Sequence, residues 1–326
     1  MTPRLWLLGA PDPEMERIAA LLAEAGEAVA WATAPGRDGP PARVTPAGAY
    51  GATGAATPDG TDALWRIRAA ARVVLVECAP LGGSALAEAL AAQVPGCGPG
   101  WAEDHDPACP SATGAQGRCL GGAAEVVAVD HHRPGDPGYG RPPAEFLAAS
   151  SLGQVLALLG RDATPEDKIA AAADHCLTAA YAGACPGVDP AALAEWRDAS
   201  RAVFQRRPVA EVRADREAAE LLLRRAAGRV VLAPGVQVVD LRPLGFVPEL
   251  AEAAARLGVA VLYRLVPTDP GGDRSGRVKV GILGAGEGTP AGMAPIEAFL
   301  GGWAAGEGLV GLYGDPARGY AGGYEQ

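Results

Sequence analysis

Three short apolar runs, Leu5-Trp6-Leu7-Leu8, Val73-Val74-Leu75-Val76 and Val126-Val127-Ala128-Val129, constrain this chain more than any other feature. None alternates with polar residues, so each reads as a strand buried on both faces. Helices are predicted between and around them, over 13–25, 62–71 and 84–92, with a further strand over 28–32. Strands that alternate with helices predict an α/β fold built on a parallel sheet with helices on both faces.

The signal changes near residue 150. Helices predicted over 151–159, 165–181, 190–204 and 214–227 carry Ala/Leu stripes and charged faces. A second alternating region follows, with strands over 230–232, 236–239, 259–266, 277–283 and 309–313, helices over 248–257 and 293–305, and a glycine-rich tail over 314–323. The expected organisation is a domain over 1–189 with a loop insertion at about 95–122, a helical connector over 190–228, and a smaller α/β domain over 229–326.

Charge limits the partners. A net charge of −10 provides no basic field for a long nucleic-acid duplex, while a small anion held by local arginines or a metal stays open. Apolar stretches break well before the ~18 residues of a membrane span, and no cleavage-like site follows the N-terminus, so a cytoplasmic protein without membrane partners is expected. Cys97, Cys109 and Cys119 fall with His105 in the insertion. Their gaps match no tight Cys-x-x-Cys knuckle, which favours reduced loop cysteines over a zinc set.

The chemistry gathers at strand ends, where open α/β sheets bind ligands. The run at Val126 delivers Asp130-His131-His132 and then the breakers Arg133-Pro134-Gly135-Asp136-Pro137-Gly138, so two of the chain's four histidines lie here. Asp12-Pro13-Glu14 follows the first run, Glu77 the second, and Asp174-His175 sits in a later helix. Carboxylates with one or two imidazoles suit manganese or magnesium better than zinc, as one ion or a pair. Asp12 before Pro13 equally suits a helix cap, and Asp174-His175 equally suits a solvated pair. Arg274 and Arg277 flank a turn, where they would face an anion or simply be solvated.

These residues, in this order, resemble the DHH phosphoesterase superfamily. Asp130-His131-His132 matches its name-giving motif, and Ala149-Ser150-Ser151-Leu152-Gly153-Gln154-Val155 resembles its small-residue entry to the following helix. Asp12-Pro13-Glu14 stands where the family has its first Asp-x-Asp, Glu77 where it has a metal-bridging Asp, and Gly314–Gly323 resembles the glycine-rich motif of the DHH-associated C-terminal domain. The chain departs from the pattern at Leu8, where the family has a ligand His, and at Gly183-Ala184-Cys185-Pro186-Gly187, where its fourth acidic motif is not recognisable.

The resemblance implies a metal-dependent phosphoesterase, a hydrolase acting on a small nucleotide or short oligonucleotide. It implies metal ligands Asp12, Glu14, Glu77, His131 and Asp174, a catalytic role for His132 and Asp130, and substrate contacts from Arg318, Gly322 and Gly323. The departures leave a rival reading, a catalytically inactive nucleotide-binding or regulatory protein that retains the fold.

Overall fold

The computed structural model describes residues 4–36, 40–92, 118–121, 124–269 and 276–326. Cys97, His105, Cys109 and Arg274 lie outside them. The chain is mixed α/β with two multi-stranded sheets, one mostly parallel. It divides into two compact units, the first comprising 1–139 and 147–163 and the second 140–146 and 164–326.

Unit 1 runs β1 (Arg4–Leu8), α1 (Pro13–Glu24), β2 (Ala28–Ala34), β3 (Ala42–Arg43), β4 (Gly54–Ala56), α2 (Leu64–Ala69), β5 (Arg72–Val76), α3 (Ala85–Ala91), β6 (Arg118–Gly121), β7 (Ala124–Val129), α4 (Phe146–Ala149, its first residue in unit 2) and α5 (Ser151–Leu159). The strand order is β3-β2-β1-β5-β7-β6, with β4 also on β2, and the central four strands are parallel. The three apolar runs are its β1, β5 and β7. Leu5, Leu7, Val73, Leu75 and Val126 face Ile67, Leu86 and Leu90 from α2 and α3. On the opposite face Trp6, Leu8, Val74, Val76, Val127 and Val129 are buried as well, which explains runs without polar alternation. Antiparallel β3, β4 and β6 are additions that the sequence reading places in turns or in the insertion.

Unit 2 runs α6 (Pro165–His175), α7 (Leu177–Tyr181), α8 (Pro190–Gln205), α9 (Val209–Arg225), β8 (Arg229–Ala233), β9 (Val236–Asp240), α10 (Leu250–Leu257), β10 (Val261–Leu265), β11 (Lys279–Leu283), α11 (Ala294–Ala298), α12 (Ala304–Gly306), β12 (Val310–Asp315) and β13 (Tyr320–Tyr324). Its sheet has the order β12-β13-β11-β10-β9-β8, and only β9 and β10 pair in parallel. The glycine-rich tail is therefore a strand, β13, inserted between β12 and β11.

Residues 164–189, expected in the first domain, pack with unit 2, and α8 and α9 belong to that unit too. Buried carboxylates hold these helices together. Glu252 on α10 accepts hydrogen bonds from Tyr181, Arg197 and Arg256, and Asp198 on α8 pairs with Arg213, Arg216 and Arg256. The single helix expected over 165–181 breaks at Cys176 (φ −153°, ψ 56°). Arg318 caps the break: its Nε donates to His175 O at 2.9 Å and its Nη2 to Asp174 O at 3.2 Å, satisfying carbonyls that a broken helix leaves without intrahelical partners. Cys176 and Cys185 lie buried with their sulfurs 3.1 Å apart, as free thiols. Among the described residues, no helix is long and apolar enough to cross a membrane.

Candidate metal centre

The carboxyl ends of β5 and β7 bring Glu77, His131 and His132 together. Each offers a ligand atom, and these atoms lie within 4.8 Å of one another. Glu77 Oε1 is 3.5 Å from His131 Nε2, both side chains being almost wholly buried. The two imidazoles stand edge to face, ring centroids 4.4 Å apart.

The backbone at Glu77 is unusual. Its φ of +48° is a left-handed conformation that L-residues other than Gly and Asn rarely adopt, and its N–H donates to Val129 O at 3.0 Å, tying the two strand ends together. Gly9, at the end of β1, makes room for it, because a Cβ there would lie 2.3 Å from Glu77 O. Backbone strain of this kind clusters at functional sites.

Asp130 organises the histidines. Its Oδ1 accepts from the backbone N–H groups of His131 (2.7 Å) and His132 (3.1 Å), and lies 2.8 Å from His132 Nδ1. With Nδ1 donating to this carboxylate, Nε2 is the nitrogen that His132 offers to a ligand. Burial opposes the charge of Asp130, but the hydrogen bond from His132 and the positive charge of the neighbouring imidazoles hold its carboxyl below the usual range. The Tyr50 hydroxyl donates to both Asp130 oxygens, at 3.1 and 2.9 Å. Burial and the Asp130 charge push the Tyr50 phenol well up, so it remains a donor. Burial, then Asp130, raises Asp136 to about 7. Asp130, assigned a catalytic role from the sequence, stands 2.8 Å from His132 Nδ1, where it fixes that ring's orientation.

The following helix locks this loop from below. Gln154 on α5 donates to Asp130 O at 3.0 Å and to Ala149 O at 2.8 Å, while Gly138 N donates to Asp130 O at 3.0 Å. A Cβ on Gly138 would meet Ala149 O at 1.9 Å and His131 Cβ at 2.7 Å. Gly138→Ala should therefore cost about 1–3 kcal/mol of stability, in the manner of an overpacked core, and displace His131. Thermal unfolding of metal-free protein and a manganese titration check both effects.

Two expected ligands are not part of this group. Asp12 caps α1, accepting from Met15 N at 2.7 Å, and Glu14 accepts from Leu152 N at 3.1 Å at the start of α5, where Ser150 also caps. Each carboxylate sits where orphan amides and the helix dipole favour negative charge, and this explains their placement. Asp174 lies on α6 in unit 2, its Oδ2 3.8 Å from Arg318 Nη2. The adjacent His175 is driven down to about 4 by burial and by the Arg318 charge. Gly322 and Gly323 are ladder residues of β13, opposite Gly281 and Val280.

The sequence reading missed Tyr50, Gly9, Gly138 and Gln154 as parts of the site. Gln154 and Gly138 stand within quoted motifs, but nothing in the turn-rich stretch around Tyr50 singles it out. Comparison with protein-family models, with curated proteins and with solved structures finds no match to this chain.

Proposed function

We propose that unit 1 binds a divalent ion through Glu77, His131 and His132 and hydrolyses a phosphoester of a small nucleotide or short oligonucleotide. The observation that carries this reading is the buried carboxylate of Glu77, set by a left-handed backbone 3.5 Å from His131 Nε2 at the end of a parallel sheet. The resemblance of Asp130-His131-His132 and its surroundings to DHH phosphoesterases supplies the reaction class.

One carboxylate and two imidazoles suit manganese, whereas magnesium prefers an all-oxygen shell. A bound ion would supply Lewis acidity toward a phosphoryl oxygen. The protein's part is to hold these donors in a fixed array. Asp130 keeps His132 in one orientation, Tyr50 keeps Asp130 charged and fixed, and Gln154 anchors the backbone that carries both histidines.

The second reading, a nucleotide-binding protein without turnover, is favoured by one observation. Asp12 and Glu14 are engaged at helix ends, so the carboxylates expected for a second ion are not gathered here. Manganese calorimetry on chelator-treated protein, followed by assays on a phosphodiester panel, separates the readings. We expect one manganese per chain and hydrolysis that stops on chelation. Manganese and nucleotide binding without turnover would select the second reading, and a protein that binds no divalent ion would remove the first.

A further inference from the structure

Two free thiols lie side by side in the interior of unit 2. Cys176 and Cys185 are nine positions apart in the sequence, each is 2 % exposed, and their sulfurs are 3.1 Å from each other. The backbone imposes this closeness. Cys176 stands at the break between α6 and α7, where its N–H donates to Ala172 O at 3.1 Å and its carbonyl accepts from Ala180 N at 2.9 Å. The returning chain is held as firmly: Ala184 N donates to Ala179 O at 2.9 Å, and Val188 N donates to Cys185 O at 3.2 Å. Hydrogen bonds on both sides thus place the two residues before any bond joins their sulfurs.

The pair brackets α7. Cys176 directly precedes its first residue, Leu177, and Cys185 follows soon after its last, Tyr181. A helix of five residues does not persist by itself and depends on what holds its ends. It has work to do in the fold, because the Tyr181 hydroxyl donates to the buried Glu252 of α10. Cys78 in unit 1 provides the contrast. It is buried as well, but its thiol donates to Leu7 O at 3.5 Å and meets no second sulfur among the described residues.

We infer that Cys176 and Cys185 form a reversible disulfide that staples the two ends of α7. The oxidant is a small disulfide of the glutathione class. One cysteine, as its thiolate, attacks that disulfide and releases one glutathione thiol; the other cysteine attacks the mixed disulfide and releases the second. The protein gives up two protons and two electrons, and the glutathione disulfide ends as two thiols. Because the fold already holds the sulfurs together, the second attack has a high effective concentration in its favour, and the internal bond prevails over the mixed disulfide. The staple shares no residue with Glu77, His131 and His132 and does not depend on the reading given to them.

The test is equilibration of the full chain in graded ratios of reduced to oxidised glutathione, started from both reduced and oxidised protein, then alkylation and peptide mass mapping. The Cys176–Cys185 bond should appear at ratios where Cys78 is still alkylated, and excess dithiothreitol should reverse it. In the oxidised protein the amides of 177–185 should exchange about tenfold more slowly or better, and the melting of unit 2 should rise by about 5–10 °C. A Cys185→Ser chain, treated identically, should show neither change. A pair that stays alkylated at the most oxidising ratio, that stops at mixed disulfides, or that bridges to other cysteines would overturn the bond. A bond that forms without altering exchange or melting would overturn its role as a staple.

Discussion

A chain ending at Tyr313 should lose the folded structure of unit 2. The removed segment contains all of β13, which pairs with β11 on one side and β12 on the other, so its loss leaves two strands without a shared neighbour and uncovers the core around Ala321. It also removes Arg318, whose guanidinium holds the carbonyls at the end of α6. A typical domain is stable by only about 5–15 kcal/mol, a margin that the loss of a strand from the middle of the sheet should remove. Limited proteolysis should cut throughout 164–313, and hydrogen exchange there should approach the unprotected rate. A cooperative melt with native protection in that region would refute the expectation.

The second large effect concerns Glu77 and has two parts of opposite sign. Glu77→Gln or His131→Ala should reduce manganese binding below detection, because each removes one of the gathered donors. Asp130→Asn, at a residue that holds His132 Nδ1 without itself belonging to the gathered group, should weaken it by about 10–100-fold. Glu77→Gly should also abolish binding, yet it relieves a left-handed backbone and should raise the stability of the metal-free protein by about 1 kcal/mol. Melting curves in chelator together with manganese titrations read both parts. A Glu77→Gly protein that melts earlier than wild type would show that the carboxylate supports the fold rather than the site.

The legible parts of the fold were those whose cause is local. Parallel strands buried on both faces appear as unbroken apolar runs, and Asp12-Pro13 announces α1 because capping needs only neighbouring residues. β13 was hidden because Tyr320-Ala321-Gly322-Gly323 has the composition of a loop; Gly322 makes room for the Tyr313 ring and Gly323 for Leu312, both contributed by another part of the chain. The break at Cys176 was hidden for a similar reason, since Arg318, which satisfies the carbonyls there, enters from the far end of the chain. At the candidate site the histidines and Glu77 could be read from strand ends. The cap at Asp12 was one of the two roles the sequence offered, but that of Glu14 could not be read, because its partner, the amide of Leu152, belongs to a helix far along the chain.

The interleaving of the two units has a consequence for synthesis. The chain enters unit 2 at 140–146, returns to unit 1 for 147–163, and leaves again. A nascent chain that has just released Asp130, His131 and His132 from the ribosome still lacks Gln154, the side chain that fastens their backbone, and Leu152, whose amide engages Glu14. The array at the sheet end is thus finished only when α5 emerges, after the chain has already passed through a segment belonging to the other unit. No single cut separates the two units whole, and a fragment ending at residue 139 would carry both imidazoles on a loop that lacks its Gln154 anchor.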